Sequence, residues 1–151
     1  MHKKFFRQFT IYVVDDSELL RELVTRYLNT LDLELQAKKK WMLNIKEFSR
    51  GEDCIEAVKK EKPAIVLTEY ILSPEDETKL NGIDLLKKLK KISPHSKAIV
   101  VSAQSDLWVS TTFYLWGASD YISKGPGLRE KIEKSVVKVL QQFDAENEKL
   151  K

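Results

Sequence analysis

Five short apolar runs alternate along this chain with segments whose apolar residues recur at three- and four-residue steps. Thr10 to Val14, Leu43 to Phe48, Ala64 to Thr68, Lys97 to Ser102 and Ser119 to Ile122 have the length and composition of strands. After the first run, Leu20, Leu23, Val24, Tyr27, Leu28 and Leu31 line one face of a helix that Ser17 can cap. Further helices are predicted over 51–60, 82–91 and 107–116, and a last one carries the stripe Leu128, Ile132, Val136, Leu140 and Phe143. Mostly apolar strands separated by helices belong in a parallel sheet covered on both sides, with right-handed crossovers.

Five such units predict an α/β fold, a flavodoxin-like (βα)5 doubly wound parallel sheet in the order 2-1-3-4-5. A length of 151 residues is that of a single domain, 1–151, with its core over about 8–143. The charged stretch 144–151 is predicted to fray. Two stretches exceed the plan. Residues 32–43 fit either a lysine-tipped hairpin or a prolonged first helix followed by a turn. Residues 73–81 form a polar loop, a flexible cover or tolerated surface, and the small cost of lengthening a loop favours the second.

Composition removes several function classes. The net charge of +3 is spread over lysines mixed with nearly as many acids, so no basic arm for nucleic acid stands out. No apolar run is long enough to span a bilayer. Met1 to Arg7 is basic but lacks the apolar region of a signal peptide, so a cytoplasmic location is expected. Cys54 is the one cysteine, which excludes an internal disulfide and suits packing in a helix. No glycine-rich phosphate loop follows the first strand, and no nucleophile–base pair is evident, so an enzyme is not expected. His2 and His95 fall in predicted loops, and Trp41, Trp108 and Trp116 read as packing groups, Trp108 also as part of a partner surface.

Three strands end in charge. Asp15 and Asp16 follow the first, Glu69 the third and Lys124 the fifth, while the fourth ends in the hydroxyl of Ser102. Carboxyl ends of parallel strands face one crevice, so these groups are expected to converge. Three neighbouring carboxylates repel, and either a divalent cation or the Lys124 ammonium must offset them. Oxygen donors of this kind suit Mg²⁺. Each residue also has an ordinary reading: Asp16 or Ser17 as a helix cap, Ser102 as a strand-end hydroxyl, Tyr121 as partly packed core, Lys124 as surface.

Taken in order, these pieces resemble the receiver domain of bacterial two-component response regulators, CheY-like modules. Asp15-Asp16 match the acidic pair that holds the metal, and Glu69 occupies the phosphoacceptor position. Ile71 matches the position whose backbone carbonyl also binds metal. Ser102-Ala103 match the switch hydroxyl and its small neighbour. Within Gly117-Ala118-Ser119-Asp120-Tyr121-Ile122-Ser123-Lys124, Tyr121 matches the switch aromatic and Lys124 the signature lysine. Asn81-Gly82 resembles the turn that opens the third helix. Two departures stand out: glutamate replaces aspartate at 69, and Gly125 separates Lys124 from Pro126.

The resemblance implies a phosphorelay signalling module that binds partner proteins, a histidine kinase among them. The expected contact face is 107–116 with 119–122 and 128–143, for a partner or for a second copy of the chain. No output domain is expected after residue 143. Glutamate carries its carboxylate about one bond length, ~1.5 Å, further than aspartate. Weak or absent phosphorylation is therefore expected, with weak Mg²⁺ binding by Asp15, Asp16, Glu69 and the Ile71 carbonyl. Glu69 is further expected to accept bonds from Ser102 and Lys124. The alternatives are a conventionally switched receiver labelled inefficiently at Glu69, or a flavodoxin-like small-ligand binder.

Overall fold

The computed structural model describes residues 6–149 apart from 73, 77 and 105. His2, the chain end 150–151 and two residues of the polar loop, Ser73 and Glu77, lie outside them. Strands and helices alternate: β1 (Arg7–Val14), α1 (Glu18–Ala37), β2 (Trp41–Phe48), α2 (Gly51–Lys60), β3 (Ile65–Thr68), α3 (Gly82–Ile92), β4 (Lys97–Ser102), α4 (Leu107–Leu115), β5 (Asp120–Ser123) and α5 (Leu128–Lys149). The strands pair in parallel in the order β2-β1-β3-β4-β5, as the alternation predicts.

The two-residue period of the strands divides the core. Phe9, Ile11, Val13, Ile65, Leu67, Ile99 and Val101 pack towards α1 and α5, where they meet Leu28, Ile132, Val136 and Leu140. Tyr12, Val14, Val66, Ala98 and Val100 pack towards α2, α3 and α4 against Cys54, Val58, Leu85, Leu89 and Phe113. The Cys54 thiol is fully buried, and burial pushes its pKa up to about 12, which makes it a packing group. Arg7 to Val14 and Trp41 to Phe48 run in register along eight paired positions.

Both strands begin earlier than their apolar runs suggest. Of the two readings of 32–43, the prolonged helix is the one adopted. Val24, Leu28, Leu31 and Leu35 continue one buried face, while Leu33 is left 69% exposed. Lys39 takes a left-handed conformation (φ 56°) and closes the helix, with Lys40 N–H bonded to Leu35 O at 3.0 Å. Asp32 then fixes the start of β2, accepting the Leu43 N–H at 2.7 Å.

The expected fraying from residue 144 does not occur there: α5 runs to Lys149. Asp144 accepts the Trp41 indole N–H at 2.6 Å and the Arg7 guanidinium at 2.5 Å. Phe9 packs between Trp41 and Phe143, with ring centroids 6.0 and 5.9 Å away. The charged end of α5 therefore ties down the beginnings of β1 and β2. Among the described residues no helix is long and apolar enough to cross a membrane.

Replacing Asp144 by alanine leaves the Trp41 N–H without its charged acceptor. A loss of about 1–2 kcal/mol is expected, read as a lower urea midpoint with an unchanged slope.

Candidate functional site

Each charged residue follows a strand that keeps one further ladder bond. Asp15 N–H donates to Phe48 O and Glu69 N–H to Val14 O, both at 3.1 Å, and Lys124 N–H donates to Ser102 O at 2.8 Å. The side chains of Asp15, Glu69 and Lys124 thus start from fixed backbone at one edge of the sheet.

The Lys124 ammonium pairs with Glu69 Oε2 and stands 3.3 Å from Asp15 Oδ2. Asp15 is 5% exposed and Glu69 9%, so the two carboxylates share one counter-ion with little help from water. The remaining carboxylate oxygens are held locally. Asp15 Oδ1 accepts the Ser17 N–H and Glu69 Oε1 accepts the Tyr70 N–H, both at 2.9 Å. Thr68 Oγ1 donates to the Glu69 carbonyl at 3.0 Å. Burial pulls the Lys124 ammonium towards deprotonation, but Glu69 and Asp15 outweigh it and raise its pKa.

Asp16 points outward, exposed. Partial burial and the charges of Asp15, Glu75 and Glu69 raise its pKa. Its own helix is capped instead by Ser17, whose Oγ accepts the Leu20 N–H at 3.4 Å. Ile71 lies two residues past Glu69 with its side chain 37% exposed, and Ala103 follows β4 as an exposed residue.

Ser102 is fully buried, but its hydroxyl serves a different partner from the one expected. Its Oγ accepts the Gln104 N–H at 3.1 Å. Among the described residues the Glu69 carboxylate draws only Lys124 and the Tyr70 N–H. Tyr121 donates its hydroxyl to Gln104 O at 2.7 Å, and its ring lies 5.6 Å from that of Phe113. Burial raises the Tyr121 phenol, and the Ser102 hydroxyl partly offsets this.

Arg21 joins the site without having been singled out, and Asn81-Gly82, the turn that opens the third helix, shapes it from behind. Arg21 Nη1 donates to Asp15 O at 2.7 Å while its Nε lies 3.5 Å from Glu47. An arginine one turn into a helix that follows two acids was the only sequence signal for it. Gly82 abuts the end of β3. Its N–H donates to Tyr70 O at 2.8 Å, and a Cβ there would stand 2.5 Å from Glu69 O. Asn81 and Asp84 form a reciprocal cap that fixes this first turn of α3. Leu72, just before the polar loop, is buried, and near the loop's end Glu52 accepts the Leu80 N–H at 2.8 Å.

Asp15, Asp16 and Glu69 offer carboxylate oxygens at this edge of the sheet. The set is oxygen-rich, as Mg²⁺ requires, and partial burial together with the neighbouring carboxylates raises the Asp16 pKa. Yet among the described residues no three acidic, histidine or cysteine side chains are grouped closely enough to hold a metal ion. Lys124 already engages two of the acids. The arrangement fits a weak cation site, in competition with that ammonium.

A family model described as a response regulator receiver domain matches residues 11–136. The chain belongs to that family. Response regulator GacA of Pseudomonas aeruginosa is 30% identical to this receiver over 124 residues, 82% of the chain and 51% of GacA. Chemotaxis protein CheY of Thermotoga maritima is 31% identical over 114 residues, 76% of the chain and 83% of CheY. The chain therefore spans about half the length of the first relative and most of the second. A response regulator receiver domain protein from Clostridium thermocellum superposes with a TM-score of 0.75 at 19% identity, over 91% of this chain and 98% of that one, a likeness of fold. Receiver domains are signalling modules of two-component systems, meet partners such as histidine kinases and generally bind Mg²⁺ at the phosphorylation site.

Two outcomes follow for this receiver. Gly82→Ala forces its methyl group against the Glu69 carbonyl, so a loss of about 1–3 kcal/mol is expected, with amide shifts at 69–71 in NMR spectra. Lys124→Met strands two buried carboxylates. Because the crevice opens to water on one side, a cost of about 2 kcal/mol is expected, below that of a fully buried pair. Lys124 holds its proton more tightly folded than unfolded, so its contribution is complete below its ordinary value of 10.5. It is lost as pH rises through and beyond that value. Urea unfolding at pH 7 and above pH 10.5 should show wild type and variant converging at the alkaline end.

Proposed function

We propose that this receiver is an atypical module of a cytoplasmic phosphorelay that works by binding a partner protein, with weak or absent phosphorylation. One observation carries the reading: the carboxylate at the acceptor position belongs to a glutamate already committed to Lys124 and to the Tyr70 N–H. In-line phosphoryl transfer requires nucleophile, metal and donor to be placed closely, and an error of ~1 Å costs about a hundredfold. The extra methylene of Glu69 displaces the nucleophile by more than that. A charge held against Lys124 partly imitates an acyl phosphate, with less charge and fewer acceptor oxygens than a phosphoryl group.

Asp15, Asp16, Glu69 and the Ile71 carbonyl are the groups that would hold Mg²⁺. When bound, the ion supplies positive charge against the carboxylates and an incoming phosphoryl group. Lys124 performs the first of these tasks already, which is why the affinity is expected to be low. A histidine kinase is then a partner for contact more than a fast donor. The contact face is assigned to α4, β5 and α5, where a partner protein or a second copy would sit.

Incubation with a small acyl phosphate followed by intact-mass measurement tests the acceptor reading. Little label is expected on the wild type, and labelling about a hundredfold faster on Glu69→Asp. Equal rates in the two proteins would restore Glu69 as an ordinary acceptor. Magnesium titration followed by NMR should give no saturation at millimolar metal in the wild type, and tighter binding in Lys124→Met.

A further inference from the structure

α4 has an unusual surface for a helix on the outside of a protein. From Leu107 to Trp116 it contains no charged residue. Phe113 is its one buried side chain. Leu107, Trp108 and Leu115 are 78%, 81% and 79% exposed, and Trp116 is 42% exposed. Leu107, Thr111 and Leu115 recur at four-residue steps, with Trp108 and Thr112 beside them, so they form one outward stripe about 12 Å long. Apolar surface of this extent on one element marks a contact site.

The flank of the stripe is of one sign. Lys87, Lys88, Lys90 and Lys91 crowd the last turns of α3. The Lys87 ammonium lies 4.4 Å above the Trp116 ring, and Lys90 reaches towards Gly117. Among the described residues none of these four lysines is paired with a carboxylate, whereas Lys46, Lys59 and Lys124 all are. A small cavity of about 100 Å³ just past the end of α4 is lined by Leu86, Leu89, Lys90, Pro94, Lys97 and Trp116, and by no residue of Leu107–Leu115.

We propose that the edge between α3 and α4 is the docking site for an acidic amphipathic helix of a partner protein. Its apolar stripe covers Leu107, Trp108 and Leu115, and its carboxylates meet the lysines of α3. The occupant follows from complementarity. The apolar stripe supplies anchors, among them an exposed tryptophan of the kind that dominates interfaces. The unpaired lysines select acids and speed encounter. An amphipathic helix presents an apolar stripe and an acidic flank side by side, as this surface requires. Thr111 in the middle of the stripe favours a protein over a lipid surface, since its hydroxyl gains from a polar partner and loses in hydrocarbon, whereas the Thr112 hydroxyl already donates to Trp108 O at 2.8 Å. This rests on the reading that the receiver acts by binding a partner, and moves the contact from the α5 side of α4 to the α3 side.

The test is a phage-displayed library of 18-residue helical peptides with a fixed Leu/Ile stripe and randomised flanks, panned against the wild-type protein. Binders are expected to show at least a fivefold excess of Asp and Glu over Lys and Arg on one flank. They should shift amides of α3 and α4 in NMR spectra. They should also weaken tenfold or more with Lys88→Glu/Lys91→Glu, and again with Leu107→Ser/Trp108→Ala, two variants that alter exposed residues only. Binders without the acidic bias, binders mapped to β5 and α5, or no binders at all would overturn the proposal. Mapping to β5 and α5 would leave the broader reading of a partner-binding module standing. Vesicles with 30% phosphatidylserine form the last arm. Sedimentation of the wild type with them, abolished by Leu107→Ser/Trp108→Ala, would overturn the protein partner in favour of a membrane.

Discussion

Two carboxylates at the ends of adjacent strands repel each other, and burial magnifies the repulsion by removing water. In this protein a single ammonium answers both. Lys124 directly follows β5, two places from β3 in the sheet, and the intervening β4 runs two residues past the end of β3 to finish level with β5 in the small residue Ser102. Strands about 4.8 Å apart set roughly 10 Å between β3 and β5. A long, flexible stem is needed to cross that gap, and a small strand-end residue is needed beneath its path. The ion pair therefore constrains three strand ends at once. It explains why Lys124 N–H keeps a ladder bond to Ser102 O, since a loose backbone there would let the ammonium withdraw.

The reach of Glu69 follows from the same geometry. Its carboxylate is pinned at both oxygens, by Lys124 and by the next residue's N–H. Behind it, Gly82 brings the first turn of α3 against the Glu69 carbonyl so closely that no side chain fits. The acid is held from the front by charge and from the back by packing. Such a carboxylate resists relocation, which is what an entering metal ion or phosphoryl group demands of it.

Much of this was legible because each charged group directly follows an apolar run, and a parallel sheet sends all such ends to one edge. The sheet order likewise follows from the five-fold alternation. What was not legible depends on contacts distant in sequence. Residues 32–43 carried two compatible patterns, and only packing decided between Leu33, which faces water, and Leu35, which is buried. The apolar periodicity of α5 ends at Phe143, yet the helix continues because Asp144 bonds Trp41 and Arg7, 103 and 137 positions away. Ser102 was assigned to Glu69 by position, whereas a backbone N–H two residues on claimed its hydroxyl. Local hydrogen bonds of this kind compete with longer ones and leave no mark in composition.

α4 shows the limit of reading burial from hydropathy. A helix apolar on every side is ordinarily a buried one, but this one is attached chiefly through Phe113, which meets Tyr70 edge-on at 5.3 Å and Tyr121 at a tilt at 5.6 Å. Tyr121 in turn is tethered to Gln104, and Gln104 to Ser102. A short chain of contacts thus joins the polar crevice to the anchor of α4. Transmission along such a chain requires two arrangements that a ligand can choose between. Lys124 already has its counter-charge from Glu69, so the crevice offers little for a phosphoryl group to change. On the proposed reading the site does not switch, so α4 is held in one position and its exposed stripe is a constant surface whose occupancy depends on the supply of the partner.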